Sequence, residues 1–250
     1  MSGTPLLPLE LYPGALVLVT DHLQAPSDFL LLRILAQRLK HAEASRSSVV
    51  VSFNHDTVRW QSLALKSGVN LKQHVDNGSL TLVDASQEDS DISAAALWTR
   101  IHPHIAADAA GPSHSKSKPG LVILDGLNVL EWIGVPQQDV ARLLRAVYAH
   151  CSSAGIALVV RYHAVGQPSE RDANLDNPLL RLLLQLCTFH LEALPLVSGR
   201  SGAVSGEVAL HPGLLAPKSA AVVPRNKAVQ YRLTDSGAVF FERGNAGNVL

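Results

Sequence analysis

Two aspartates flank the turn where a phosphate-binding loop would need glycine and lysine. Leu16-Val17-Leu18-Val19-Thr20 reads as a buried strand, Asp21 to Asp28 (DHLQAPSD) as a turn, and Phe29 to Lys40 as an apolar-faced helix. A phosphate loop of this layout carries Gly at its first and sixth positions, then Lys, then Ser or Thr. Those positions hold Asp21, Pro26, Ser27 and Asp28. The glycines that let backbone amides close on phosphate are missing, and so is the lysine. One like charge ~4 Å away opposes a phosphate charge by roughly 4 kcal/mol at a surface-like dielectric. The helix end returns only about half a positive charge. The turn is therefore a degenerate phosphate-loop position, and its simplest local reading is that Ser27 or Asp28 caps the helix.

Asp125 ends the apolar run Leu121-Val122-Ile123-Leu124, as the magnesium-positioning aspartate of a nucleotide hydrolase does. Without a lysine-bearing loop, a structural aspartate bonded to loop amides is the simpler reading. After the second strand, Asn54-His55-Asp56 offers one carboxylate where a water-activating group would stand, and Asp56 reads as the cap of the next helix. The 11 histidines are scattered. His102-Pro103-His104 lacks the i, i+4 spacing of two ligands on one helix face, and no cysteine pair forms a zinc half-site. No metal or cofactor is expected. There is no G-x-S-x-G elbow, and no G-x-G-x-x-G follows the first strand. Ser201, Ser205 and His211 are near one another in sequence only, so a flexible turn is expected there and no catalytic residue is assigned.

Cationic residues form two sets. Arg33, Arg38, Lys40 and Arg46 gather around the first helix. Arg200 lies in the Gly-rich stretch Ser198–Gly206, and Lys218, Arg225 and Lys227 follow it. The second set is the candidate for contact with a polyanion, through point charges or forked hydrogen bonds. No aromatic residues are interleaved there to stack single-stranded bases.

The positioning elements alternate. Strands are expected at Val49–Phe53, Leu80–Asp84, Leu121–Asp125, Ile156–Val160 and Thr188–Leu194. Helices are expected at Thr57–Ser67, Asp89–Ala107, Pro136–Ser152 and from Pro178 through the apolar run Leu179–Leu186. The last of these is apolar nearly all round, so it is buried or lies against a partner. Gly111–Gly120 reads as a loop. Glu207–Leu210, Gln230–Thr234 and Val239–Glu242 read as short strands, the last two joined at Asp235-Ser236-Gly237. The pattern predicts an α/β fold: a mostly parallel twisted sheet with helices on both faces and antiparallel strands at the C-terminal end. Residues 1–13 form a Pro-rich arm and 14–250 a single domain.

With 250 residues, 47% hydrophobic content and a formal net charge of zero, the chain can bury a large core and has no global field for nucleic acid or membrane. Cys151 and Cys187 lie in apolar segments, which suits a reducing compartment. Met1 to Pro13 lacks the features of a secretory signal, and no run reaches the length of a membrane span. The chain is expected to be soluble and intracellular, in the cytoplasm with the nucleus as a second compartment.

Three runs carry a resemblance. VVVSFNHDTVRWQSLALKSGVNLKQHVDNGSLTLVDA resembles the second-strand region of the sixth subunit of the eukaryotic Elongator complex. LVILDGLNVLEWIG resembles the degenerate Walker B segment of that family, and SGRSGAVSGEVALHPG its late glycine-rich loop and strand. The likeness extends from about residue 14 to 242. It implies a RecA-like fold without a complete nucleotide site. It also implies a place in a heterohexameric ring with the fourth and fifth Elongator subunits, in the machinery that modifies the wobble uridine of certain tRNAs. In that family the iron–sulfur and acetyl-CoA chemistry belongs to the catalytic subcomplex, and the ring is associated with tRNA binding and ATP-dependent release. The leading reading is a non-catalytic ring subunit. The alternatives are an ATPase with an atypical phosphate loop using Asp125 and a partner's residues, and a DNA-binding recombinase-paralogue-like subunit.

Overall fold

The computed structural model describes residues 9, 11–40, 46–86, 93–106, 120–164, 177–197, 199 and 202–243. Its first strand, β1 (Leu16–Asp21), is buried at every position, as an apolar run covered on both faces must be. The chain continues through α1 (Asp28–Lys40), β2 (Ser48–Ser52), α2 (Thr57–Lys66), α3 (Leu71–Asp76), β3 (Leu80–Asp84), α4 (Ala94–Ile105) and β4 (Leu121–Asp125). Next come α5 (Val129–Trp132), α6 (Gln137–Ala154), β5 (Ala157–His163), α7 (Pro178–Leu186), β6 (Phe189–Leu194) and β7 (Gly206–Pro212). A 3-10 turn at Arg225–Lys227 leads into β8 (Val229–Thr234) and β9 (Gly237–Phe241).

The nine strands of the described residues form one sheet in the order β3-β2-β4-β5-β1-β6-β7-β8-β9. The pairings from β3 to β6 are parallel, and those of β6–β7, β7–β8 and β8–β9 are antiparallel. The expected α/β architecture is what forms. One face of the sheet packs against α4, α6 and α7 through residues such as Ile101, Leu144 and Leu183. The other packs against α1 and α2 through Leu31, Leu35 and Trp60.

Local signals explain the element ends. Asn177 Oδ1 accepts from the amides of Leu179 and Leu180, which opens α7 with Pro178 in its first turn. Gly155, in the left-handed conformation (φ 65°), closes α6. The apolar run of α7 turns Leu179, Leu180 and Leu183 into the chain's own core, with Arg181 and Gln185 outward. Of the N-terminal arm, Leu9, Leu11 and Tyr12 pack on the core beside α1, and the Tyr12 ring stacks on Phe189 at 5.9 Å.

Three differences from the sequence reading have physical causes. The helix expected over Asp89–Ala107 begins at Ala94, because the Ser93 hydroxyl caps it by accepting from the Ala96 amide. Residues 89–92 and 107, like most of the 111–120 loop, lie outside the described residues. The short helices α3 and α5 were not expected, being too brief to show a period. The fifth strand runs three residues past its expected end at Val160, to His163.

Candidate functional site

Strand pleating sets the site. Side chains alternate between faces along a strand. Asp21 thus joins Val17 and Val19 on the α1 face, and Ser52 joins Val50. Asp125 joins Leu121 and Ile123, and Arg161 joins Ala157 and Val159. Because β5 lies between β4 and β1, Arg161 stands between the two aspartates that end the flanking strands. Its side chain is 1% exposed.

Three carboxylates surround that guanidinium. Nη2 lies 2.5 Å from Asp125 Oδ1. Nη1 makes a very short contact to Asp28 Oδ1 at the start of α1 and lies 3.9 Å from Asp21 Oδ2. Each carboxylate has further donors. Asp125 Oδ2 accepts from Ser52 Oγ at 3.0 Å and Trp60 Nε1 at 2.9 Å. Asp21 Oδ2 accepts from the Ser27 amide at 2.8 Å and its hydroxyl at 2.9 Å, and Asp21 Oδ1 lies 2.6 Å from His163 Nδ1. His55 Nε2 lies 3.2 Å from Asp28 Oδ1. Outside this shell the exposed Trp132 ring stacks on His163 at 5.8 Å.

The electrostatics follow from burial against pairing. Burial opposes charge on Asp28, but the His55 hydrogen bond and Arg161 outweigh it and hold the carboxyl well below the usual range. Burial likewise opposes charge on Arg161, and Asp125, Asp28 and Asp21 together raise its pKa above the ordinary value. A planar guanidinium with several donors suits such a convergence of carboxylates. This side chain supplies, from within the chain, the positive charge that a lysine or a metal ion would supply at a phosphate site. Among the described residues no group of three or more His, Cys, Asp or Glu could hold a metal ion.

Two details of the sequence reading are corrected here. Neither Ser27 nor Asp28 caps α1 with its side chain: the Ser27 hydroxyl donates to Asp21, and the Asp28 carboxylate is drawn to Arg161 and His55. Asp125 is structural in its contacts, but its partners are Ser52, Trp60 and Arg161, whose side chains reach it where loop amides were expected. Pro26 stays in the turn before α1. Asp56 does cap α2, accepting from the Arg59 amide at 2.7 Å.

The family model for Elongator subunit Iki1 matches residues 6–204. The chain belongs to that family. The Elongator resemblance read from the sequence is thereby borne out, and no curated protein matches the chain. The span matched to the Iki1 family takes in Arg161 with its three aspartates and both histidines, and stops before β7.

The other cations singled out in this Iki1-family chain differ in their surroundings. Arg200 and Ser201 lie outside the described residues. Lys218 and Lys227 are exposed. Arg225, a candidate polyanion contact, is paired within the chain: its Nε and Nη2 both donate to Glu192, which His211 Nε2 also approaches at 3.1 Å. Burial opposes the Glu192 charge, but these partners hold its pKa down to about 2. Around α1, Arg33 stacks on the Phe240 ring at 4.8 Å and Arg46 donates to the Gly155 carbonyl.

Sequence reasoning missed Arg161, His163, His55 and Trp60 as site residues. One signal was present. Two aspartates ending buried parallel strands need a nearby counter-charge, and Arg161 is the cation that follows the run between them.

Proposed function

We propose that this Elongator subunit is a non-catalytic, RecA-like member of the complex's accessory ring. In this reading it assembles with the two related ring subunits and helps the ring bind and release tRNA during wobble-uridine modification, acting in the cytoplasm with the nucleus as a second compartment. The catalytic subcomplex supplies the chemistry. The observation that carries the proposal is Arg161, whose buried guanidinium is enclosed by Asp21, Asp28 and Asp125 at the strand ends where a nucleotide hydrolase would hold phosphate and magnesium. A nucleotide entering there would meet carboxylates already committed to an internal cation and a loop without glycine or lysine. Ring geometry needs the fold and its surfaces, not this pocket's chemistry.

Co-expression with the related ring subunits, followed by light-scattering mass, tests the reading. A complex with two copies of each subunit is expected, together with no saturable magnesium–ATP binding by the isolated chain. A monomer indifferent to those partners overturns the ring assignment. Saturable nucleotide binding that Asp125→Ala abolishes overturns the non-catalytic one.

A further inference from the structure

The Arg161 cluster joins segments far apart in the chain. Asp21 ends β1, Asp28 opens α1 and Asp125 ends β4, and all three face one guanidinium that starts from β5. His163 grips Asp21 and His55 grips Asp28 from outside. The loop between the first two aspartates closes on itself through the Ala25 amide to the His22 carbonyl at 2.8 Å, and Leu23 at its tip is 97% exposed. In a phosphate-binding loop the matching backbone cradles a bound phosphate, and a hydroxyl at its end holds the accompanying cation. Here the cation is a side chain of the same polypeptide, buried and covalently attached.

We infer that Arg161 is a tethered counter-cation that fixes the Asp21–Asp28 loop in one conformation, the same with or without nucleotide, at the ends of the central strands. This rests on the non-catalytic reading above and adds how the loop stays ordered. The carboxylates lie at both ends of the loop, so the guanidinium staples its entry and its exit. Ser27 reinforces the exit by donating both its amide and its hydroxyl to Asp21.

Hydrogen exchange of the full chain, read at the hydrogen-bonded amides of Ala25 and Ser27, tests this. With and without magnesium and a non-hydrolysable ATP analogue, the wild-type amides should exchange equally slowly. In Arg161→Ala their protection should fall by roughly a few hundredfold or more, the scale of breaking a buried pair. Guanidinium ion at a non-denaturing concentration should restore part of it, and sodium at equal ionic strength should not. Should Arg161→Ala fail to fold, Asp28→Asn carries the test. Asp28 is 30% exposed, and its loss leaves Asp21 and Asp125 facing the arginine. A roughly tenfold loss of protection confined to the loop is then expected, the scale of one charged hydrogen bond. Loop protection unchanged in Asp28→Asn, with no nucleotide effect, overturns the tether and leaves the non-catalytic reading standing. Wild-type protection that rises with nucleotide overturns both.

Discussion

Replacing Asp125 with alanine should be among the most damaging single changes in this chain. The carboxylate is fully buried, faces Arg161 Nη2 at 2.5 Å and accepts from Trp60 Nε1 and Ser52 Oγ. Removing one partner of a buried ion pair costs about 3–5 kcal/mol. Asp28 and Asp21 still face the arginine, which puts this part near the lower end. The orphaned indole N–H adds roughly 1 kcal/mol. The sum, about 4 kcal/mol, compares with a total stability of about 5–15 kcal/mol for a typical domain. It corresponds to a melting temperature lower by roughly 8–16 °C for a chain of this size. Urea unfolding followed by tryptophan fluorescence measures it. Trp60→Phe, which removes the indole donor together with part of a buried ring, should cost at least about 1 kcal/mol. In Asp125→Ala/Arg161→Met the loss should be below the sum of the single changes, because the two share one ion-pair contact, although Asp21 and Asp28 still lose their arginine. An Asp125→Ala protein within about 0.5 kcal/mol of wild type, as at an ordinary surface site, or strictly additive changes would refute the picture of a tightly coupled buried cluster.

The region around Glu192 should make the protein acid-sensitive. Desolvation pushes His190 down to about 4, while Glu192, despite burial, is held down to about 2 by His211 and Arg225. Both folded values lie below their unfolded ones, so the unfolded chain binds more protons over each interval. Stability contributed by His190 is present above about pH 6.5 and lost as pH falls toward 4. That of Glu192 is present above about pH 4.5 and lost toward 2. Urea midpoints should therefore fall between pH 7 and pH 5, and less steeply in His190→Gln. Gly126 adopts φ +77°, and a Cβ there would sit 2.8 Å from Asn54 Cβ, so Gly126→Ala should cost at least about 1–2 kcal/mol from backbone strain alone, read from the same urea curves. Burial pushes Cys151 up to about 12 and Cys187 up to about 11. Both thiols should resist a water-soluble thiol reagent in the native protein and react promptly in denaturant, and fast native labelling would contradict their burial.

The fold was legible in the sequence because its strands are apolar at nearly every position. Runs such as Leu16–Val19 and Leu121–Leu124, short and bounded by turn residues, fit strands covered on both faces, and the period of α6 was equally plain. The turn between β1 and α1 was legible too. The content of the site was not. Arg161 follows Leu158-Val159-Val160, and an arginine after an apolar run looks like the first residue to reach solvent. Only the sheet order, with β5 between β1 and β4, turns it inward between two aspartates. The pairing of Arg225 was hidden as well, because its partner Glu192 lies 33 positions earlier in the sequence.

The placement of β1 bears on how the chain is made. Its two neighbours, β5 and β6, both come from the second half of the sequence, and Asp21 meets His163 across 142 positions. On a ribosome adding about 5–20 residues per second, the apolar β1 segment emerges first and waits many seconds for either neighbour. Such long-range parallel pairing is slow to form and exposed to aggregation in the interval. A chain released after β4 would keep that segment with no sheet to enter. Nascent β1 is therefore the stretch where chaperone protection should matter most, and truncations ahead of β5 should accumulate as insoluble protein.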